Sequence, residues 1–257
     1  MDRMKWLRRS RWVRVLIVVV GLLTIGWVVL RLVAGSSDPV SDRDALAMFA
    51  AAAGGTVPNG GPAPGVYRYR ATGSERGGTG LLAISRKVPA EARLVVTPNG
   101  VGWEAELSYS RQHIEGARYT LHDGAIQVTW RRTKVTFAGF GRDDRRSAEP
   151  PSVFLPAHAA VGTKWSEAYR TGDILVRSDN RVLRAAGVEL DGKRVDALVL
   201  ESRSTTSGAH PGTRIETDWW APSLGLPIRW DVDTDIGGVF AFHSTTRLVL
   251  RSAVPSR

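Results

Sequence analysis

Apolar and polar residues alternate from Val66 almost to the end of the chain, and Gly, Asn, Asp and Pro interrupt the alternation at intervals. A period of two marks strands with one buried face, and Gly-containing pairs between such runs mark hairpins. Four turns suggest a register. Asn99-Gly100 pairs Val96 with Trp103 and Arg93 with Glu106, and Asp191-Gly192 pairs Glu189 with Arg194 and Val188 with Val195. Asp123-Gly124 pairs Leu121 with Ile126 and Tyr119 with Val128, leaving Ala117 opposite Trp130. The turn Pro222-Ser223-Leu224-Gly225 pairs Ala221 with Leu226, Trp219 with Ile228, Thr217 with Trp230 and Ile215 with Val232. Asp218 then meets Arg229 and Arg214 meets Asp233 on the opposite, outward face, so apolar meets apolar and opposite charges meet. A three-residue turn, Ile236-Gly237-Gly238, keeps Phe240 and Phe242 on the face of Trp230 and sets His243 opposite Asp231.

Strands joined by tight turns are neighbours in a sheet, and about ten or eleven in succession reach the size at which an open sheet curls or closes. The expected fold is mainly β, a strongly curved antiparallel sheet forming a half-barrel or barrel, with a β-sandwich as the alternative.

Ahead of the strands the period changes. The stretch SDRDALAMFAAAAGG predicts a helix over about 41–53, capped by Ser41 and stopped by Gly54-Gly55, with Leu46, Phe49, Ala50 and Ala53 as its apolar stripe. Residues 54–65 include eight Gly or Pro in twelve positions and read as a loop. Further upstream, Val15–Leu30 is sixteen residues without a charge. The 23 residues Trp12–Ala34 would span about 35 Å as a helix, enough for a hydrocarbon core of about 30 Å. Arg14 and Arg31 lie where long side chains reach the interface, and Trp12 and Trp27 suit the interfacial belts. Arg31 also spoils the neutral region that a signal-peptide cleavage site needs. The expected organisation is a basic cytoplasmic tail at 1–11, an uncleaved single-pass anchor at 12–34, a linker with its helix at 35–65, and an extracytoplasmic β domain at 66–257.

Charge changes the picture less than its total suggests. The formal net charge is +10, but seven basic residues against Asp2 put +6 of it in residues 1–35. That excess fits the positive-inside rule, and no basic track for nucleic acid is expected in the remainder. With no cysteine, the chain has no disulfide, thiolate metal site, cysteine nucleophile or lipidated cysteine.

Little local chemistry stands out. Asp231, Asp233 and Asp235 have the opening spacing of a calcium loop, but Ile236 and Phe242 occupy the positions that need Gly and Glu. They read as a solvent face partly neutralised by Arg214 and Arg229. The five histidines lack metal-ligand spacing, and no serine sits in a nucleophile elbow. No catalytic residue, metal or cofactor is expected. The candidate ligand-binding residues are aromatic: Trp103, Trp130, Trp219, Trp230, Phe240 and Phe242 on inward faces, and Trp220 at a sheet end against Pro227.

The stretches LPAHAAVGTKWS, GVELDGKRVDALVLE and GTRIETDWWAPSLGLPIRW follow in an order that resembles exported bacterial β-proteins of unassigned function. More loosely, the helix-then-strands order of the extracytoplasmic segment resembles the LolA/LppX-type lipoprotein carriers. That resemblance implies a curved antiparallel half-barrel, with helices against its open face, that binds lipid or lipoprotein acyl chains. The carriers of this type that are tethered use a lipidated cysteine, which this chain lacks. The expected function is therefore a membrane-anchored, non-enzymatic envelope protein whose β domain binds a hydrophobic or amphipathic, lipid-like ligand. The alternatives are an interaction module with a filled core that binds an envelope protein partner, and an envelope hydrolase.

Overall fold

The structure is a computed structural model that describes residues 35–257, apart from 53, 81, 82, 239 and 240. The tail and anchor expected at 1–34, and Phe240, therefore lie outside the described residues. Among the described residues no helix is long and apolar enough to cross a membrane.

One helix precedes a meander of strands. Helix α1 spans Asp42–Ala52, and the strands are β1 Gly65–Gly77, β2 Ile84–Lys87, β3 Glu91–Asn99, β4 Gly102–Ser110, β5 His113–His122, β6 Ala125–Phe137, β7 Phe140–Leu155, β8 Lys164–Thr171, β9 Ile174–Leu190, β10 Lys193–Ser207, β11 Gly212–Ala221, β12 Leu226–Ile236 and β13 Phe242–Leu250. From β3 to β13 each strand pairs with its neighbour in sequence. β13 then pairs antiparallel with β1 from Tyr69↔Leu250 to Gly77↔Phe242, which closes twelve strands into a barrel. Closure leaves no free edge on that ring. β2 lies beyond the break at Val88–Ala90 and follows β1 along Ser74–Gly77, on the edge that β3 occupies along Gly65–Arg70. The sheet is thus neither a half-barrel nor a sandwich.

The helix forms where Ser41 caps it, its hydroxyl accepting the Asp44 amide hydrogen at 3.1 Å. It buries Ala45 and packs Leu46, Met48 and Phe49 against Val66 and Val95. Val66 and Val95 alternate with Tyr67, Leu94 and Val96 of the interior, so the helix lies on the outer wall. Ala50 is exposed, and the apolar stripe is shifted toward the start of the helix relative to the sequence reading. Asp38 bonds Gln112 in the β4–β5 turn, so the chain meets the barrel at that end. The loop after the helix lies across the opposite end. Tyr67 donates to the Ala63 carbonyl at 2.7 Å, and Val57 packs on the core. Gly225, at φ +62°, has the backbone of Gly61 and Pro62 so close that a Cβ would sit 2.7 Å from an atom of it.

Two of the proposed turns are observed as read. Leu121↔Ile126 and Tyr119↔Val128 pair around Asp123-Gly124, and Glu189↔Arg194 and Val188↔Val195 around Asp191-Gly192. Asp123 and Asp191 have the positive φ (50° and 52°) that such turns demand. The first hairpin slips by two: Val96 faces Ala105 and Pro98 faces Trp103, which preserves the faces. Elsewhere bulges shift the register by one and exchange the faces. Between Arg118 and Tyr119 the shift brings Trp130 opposite Arg118 and Arg131 opposite Ala117. Between Trp219 and Trp220 it leaves Trp220↔Pro227 and Ala221↔Leu226 as expected. The rest of that hairpin moves: Trp219 meets Arg229, Asp218 meets Trp230 and Glu216 meets Val232. The last turn is longer than expected, because Ile236 pairs with Phe242 and His243 faces Asp235 rather than Asp231.

The wall is weakest between β7 and β8, where one backbone bridge, Glu149↔Arg170, is the whole ladder. Side chains carry the rest of that seam: the Trp165 indole donates to the Val153 carbonyl, and the Glu167 carboxylate accepts from the Val153 amide and the Ser152 hydroxyl. Amide hydrogen exchange of the full chain is expected to be fastest, among the wall strands, at Ala148 and at the β8 amides facing β7. Protection there equal to that of the β9–β10 pair would contradict this reading.

Candidate functional site

Alternation decides which side chains enter the lumen, and the bulges decide the phase. β11 alternates without a break and sends Arg214, Glu216, Asp218 and Trp220 inward, and beyond its bulge β6 sends Arg131 and Thr133. A ring of twelve strands is wider than side chains alone readily fill. Its interior holds a cavity of about 250 Å³. Toward the end crossed by the Gly/Pro loop the lining is apolar and aromatic, with Trp103, Tyr119, Phe154, Trp165 and Trp220. Trp103 stacks on Tyr119 at 5.3 Å, and Phe154 meets Trp220 edge-on at 5.0 Å.

Midway along the barrel the lining becomes charged. Arg214 grips Glu115 through both terminal nitrogens, each at 2.8 Å, and reaches Glu216 through Nε at 2.9 Å. The Trp230 indole donates to Glu216 at 2.8 Å. Burial opposes ionisation of both carboxyls, yet the Arg214 charge and its hydrogen bonds hold them below the ordinary range. Asp218 behaves differently: it makes no ion pair among the described residues, and burial followed by the Glu216 charge pushes its pKa well up. Next along the lumen, Arg86 donates to Glu75 at 2.7 Å and His113 approaches the other oxygen of that carboxyl at 2.5 Å. Burial disfavours the imidazolium, but the Glu75 charge and the bonds to Glu115 and Glu75 raise the His113 pKa to about 9. Phe137 and Phe242 meet across the lumen beyond them, with ring centres 6.4 Å apart.

The sequence-derived candidates divide. Trp103, Trp230 and Phe242 line the cavity as read, and Trp220, read at a sheet end and outward, lines it too. Trp219 and Trp130 stand on the outer wall, a correction: the bulge in β6 exchanges the face of Trp130, and in β11 it is the row of Trp220, not that of Trp219, that faces the lumen. Arg229 lies 4.1 Å over Trp219, and Arg118 and Arg145 lie 5.7 and 4.2 Å from Trp130. Arg214 is likewise inside rather than beside Asp233, and Asp231 is neutralised by Arg229 and Arg247 instead. The expected Asp231–His243 pair does not form. The charged lumen groups Glu115, Arg131, Arg214, Glu216 and Asp218 went unread as site residues. The period-two row Arg214, Glu216, Asp218, Trp220 is the trace they leave in the sequence. Among the described residues no cluster of His, Cys, Asp or Glu is arranged to hold a metal ion.

Comparison with protein families, with curated proteins and with solved structures gave no match to this chain. The site is therefore interpreted from its own geometry. It offers an enclosed space with an apolar end, a fixed charged belt, and no pairing of a nucleophile with a base in the groups described above.

Two outcomes follow for the charged belt. Arg214→Met strands Glu115 and Glu216 in the lumen and is expected to lower the unfolding free energy of the full chain by about 3–5 kcal/mol in denaturant titrations. Loss below about 1 kcal/mol would show that the belt is not a buried network. The raised His113 pKa means that the folded state holds a proton the unfolded state, with a pKa of about 6.5, gives up. Its contribution is full below about pH 6.5 and lost as pH rises through about 9. The melting temperature should fall across that window in the native chain and fall less in His113→Gln; parallel pH profiles would contradict the assignment.

Proposed function

We propose that this barrel is the extracytoplasmic, ligand-holding domain of a single-pass membrane-anchored envelope protein. It takes one amphipathic, lipid-like molecule into its lumen and carries out no covalent chemistry on it. The observation that carries the reading is the cavity, an internal volume with an aromatic end and a charged belt along one path. Such a gradient matches a molecule that is apolar at one end and polar at the other. At about 250 Å³ the volume lies just under the usual range for drug-sized ligands, so a single short chain suits it better than a two-chain lipid.

The anchor proposed at residues 12–34 agrees with the way the chain arrives. Asp38 is fastened to the β4–β5 turn, so the barrel end opposite the Gly/Pro loop is the one nearer to such an anchor. The cavity lining extends toward that end through Thr171, Ile174, Thr206 and His210. An anchored barrel would then exchange its ligand on the membrane side, in keeping with the resemblance to acyl-chain carriers.

Filling the lumen tests the reading. The full chain is expected to bind a fluorescent single-chain fatty acid saturably, one per barrel. Ser204→Phe, which places a ring in the cavity, should weaken binding by at least tenfold. Trp219→Ala on the outer wall should leave binding within a factor of two. Absence of saturable binding by the native chain would overturn the proposal and favour an interaction module with a protein partner.

A further inference from the structure

Among the described residues, the buried atoms without a hydrogen-bond partner include three beside the middle of the cavity, Arg131 Nε, Asn180 Nδ2 and Asp218 Oδ1, besides His210 Nδ1 at its far end. All three residues line the same cavity. Asn180 is 8% and Asp218 5% exposed, so solvent at the surface does not satisfy them. A buried polar group without a partner is costly, and three around one space indicate a missing occupant.

Arg131 gives that occupant its sign. The other lumen arginines have carboxylates: Arg214 holds Glu115 and Glu216, Arg86 holds Glu75, and Arg142 and Arg146 lie within 4.0 Å of Asp144. Arg131 has no carboxylate partner among the described residues, and its described contact is the Tyr169 ring, 5.8 Å away. The acidic groups near it are already engaged: Glu216 by Arg214 and Trp230, Glu167 by Ser152 and the Val153 amide. The unpartnered amide nitrogen of Asn180 is a second donor. Burial, followed by the Glu216 charge, pushes the Asp218 pKa well above the ordinary carboxyl range. The two unpartnered nitrogens are donors, one of them on a guanidinium, so the group that completes them accepts hydrogen bonds and carries negative charge. A guanidinium fork matches the two oxygens of a carboxylate or phosphate. From Arg131 toward the Gly/Pro loop the lining passes to Tyr119, Phe154, Trp165 and Trp220.

We infer that Arg131 anchors the anionic head, a carboxylate or phosphate monoester, of a single-chain amphiphile whose apolar tail lies among Phe154, Trp165 and Trp220. The inference rests on the ligand-binding reading above and specifies its head group.

Decanoate, decyl phosphate and decanol, titrated calorimetrically into the full chain in zwitterionic nanodiscs against empty discs, separate the two. The native protein should prefer at least one of the anionic probes over decanol by about tenfold or more, and which one identifies the head group. Arg131→Gln should abolish that preference while decanol binds as before. Arg131→Lys, which keeps the charge but not the fork, should retain part of it. Equal affinity for all three probes in the native chain would overturn the head-group assignment and leave the lumen reading standing. An anionic preference that survives in Arg131→Gln would do the same. Binding of none of the probes would overturn both.

Discussion

The bond between Arg214 and Glu115 crosses the barrel. β5 and β11 lie six steps apart around the ring in either direction, so this pair joins opposite walls. A buried ion pair adds little net stability over an apolar substitute, because desolvation offsets the attraction. Its value here is geometric. A twelve-stranded ring left to itself would enclose more space than side chains fill. The Arg214 bridge, together with His113–Glu75 and Phe137–Phe242, fixes how far apart the walls stand. What remains between them is a confined cavity, with its polar part contributed mostly by β6–β11.

That arrangement follows from single-residue events in the strands. The bulge beside Trp219/Trp220 leaves Ile228 of β12 unpaired; without it Arg229 and Asp231 would face the lumen and Trp230 the outside. Without the bulge at Arg118/Tyr119, Trp130 would take the place of Arg131 inside. The β6 shift thus brings Arg131 into the lumen beside the row Arg214, Glu216 and Asp218, which the unbroken alternation of β11 places there. Trp130 and Trp219 are left on the outer wall, where Arg118, Arg145 and Arg229 cover them.

Much of the local structure was legible in the sequence. The Ser41 cap and the hairpins at Asp123-Gly124 and Asp191-Gly192 carry their own chemistry within a few residues. The succession of strands followed from alternation, although thirteen form among the described residues where ten or eleven were expected. Closure did not, because β1 and β13 meet across most of the chain and nothing local announces the pairing. The bulges were equally silent. The pairing rule that matched Ile215 with Val232 and Asp218 with Arg229 was sound chemistry applied one residue out of phase. It also assumed that charges face water, which holds for a filled core but not for a wide lumen able to pair them. The charged residues of the belt were missed for that reason, while Trp103, Trp230 and Phe242 were read on the lumen side because apolar lining obeys the simpler rule; Trp220, on one face with two acids, was read outward.

The central claim is that the lumen holds a small amphiphile, and native mass spectrometry of the full chain isolated from its native cells addresses it most directly. The account predicts one additional mass, of the size of a single-chain lipid, on each barrel, removed by organic extraction and recovered in the extract. A protein mass without adduct, unchanged by extraction and by prior incubation with single-chain anionic amphiphiles, would contradict it.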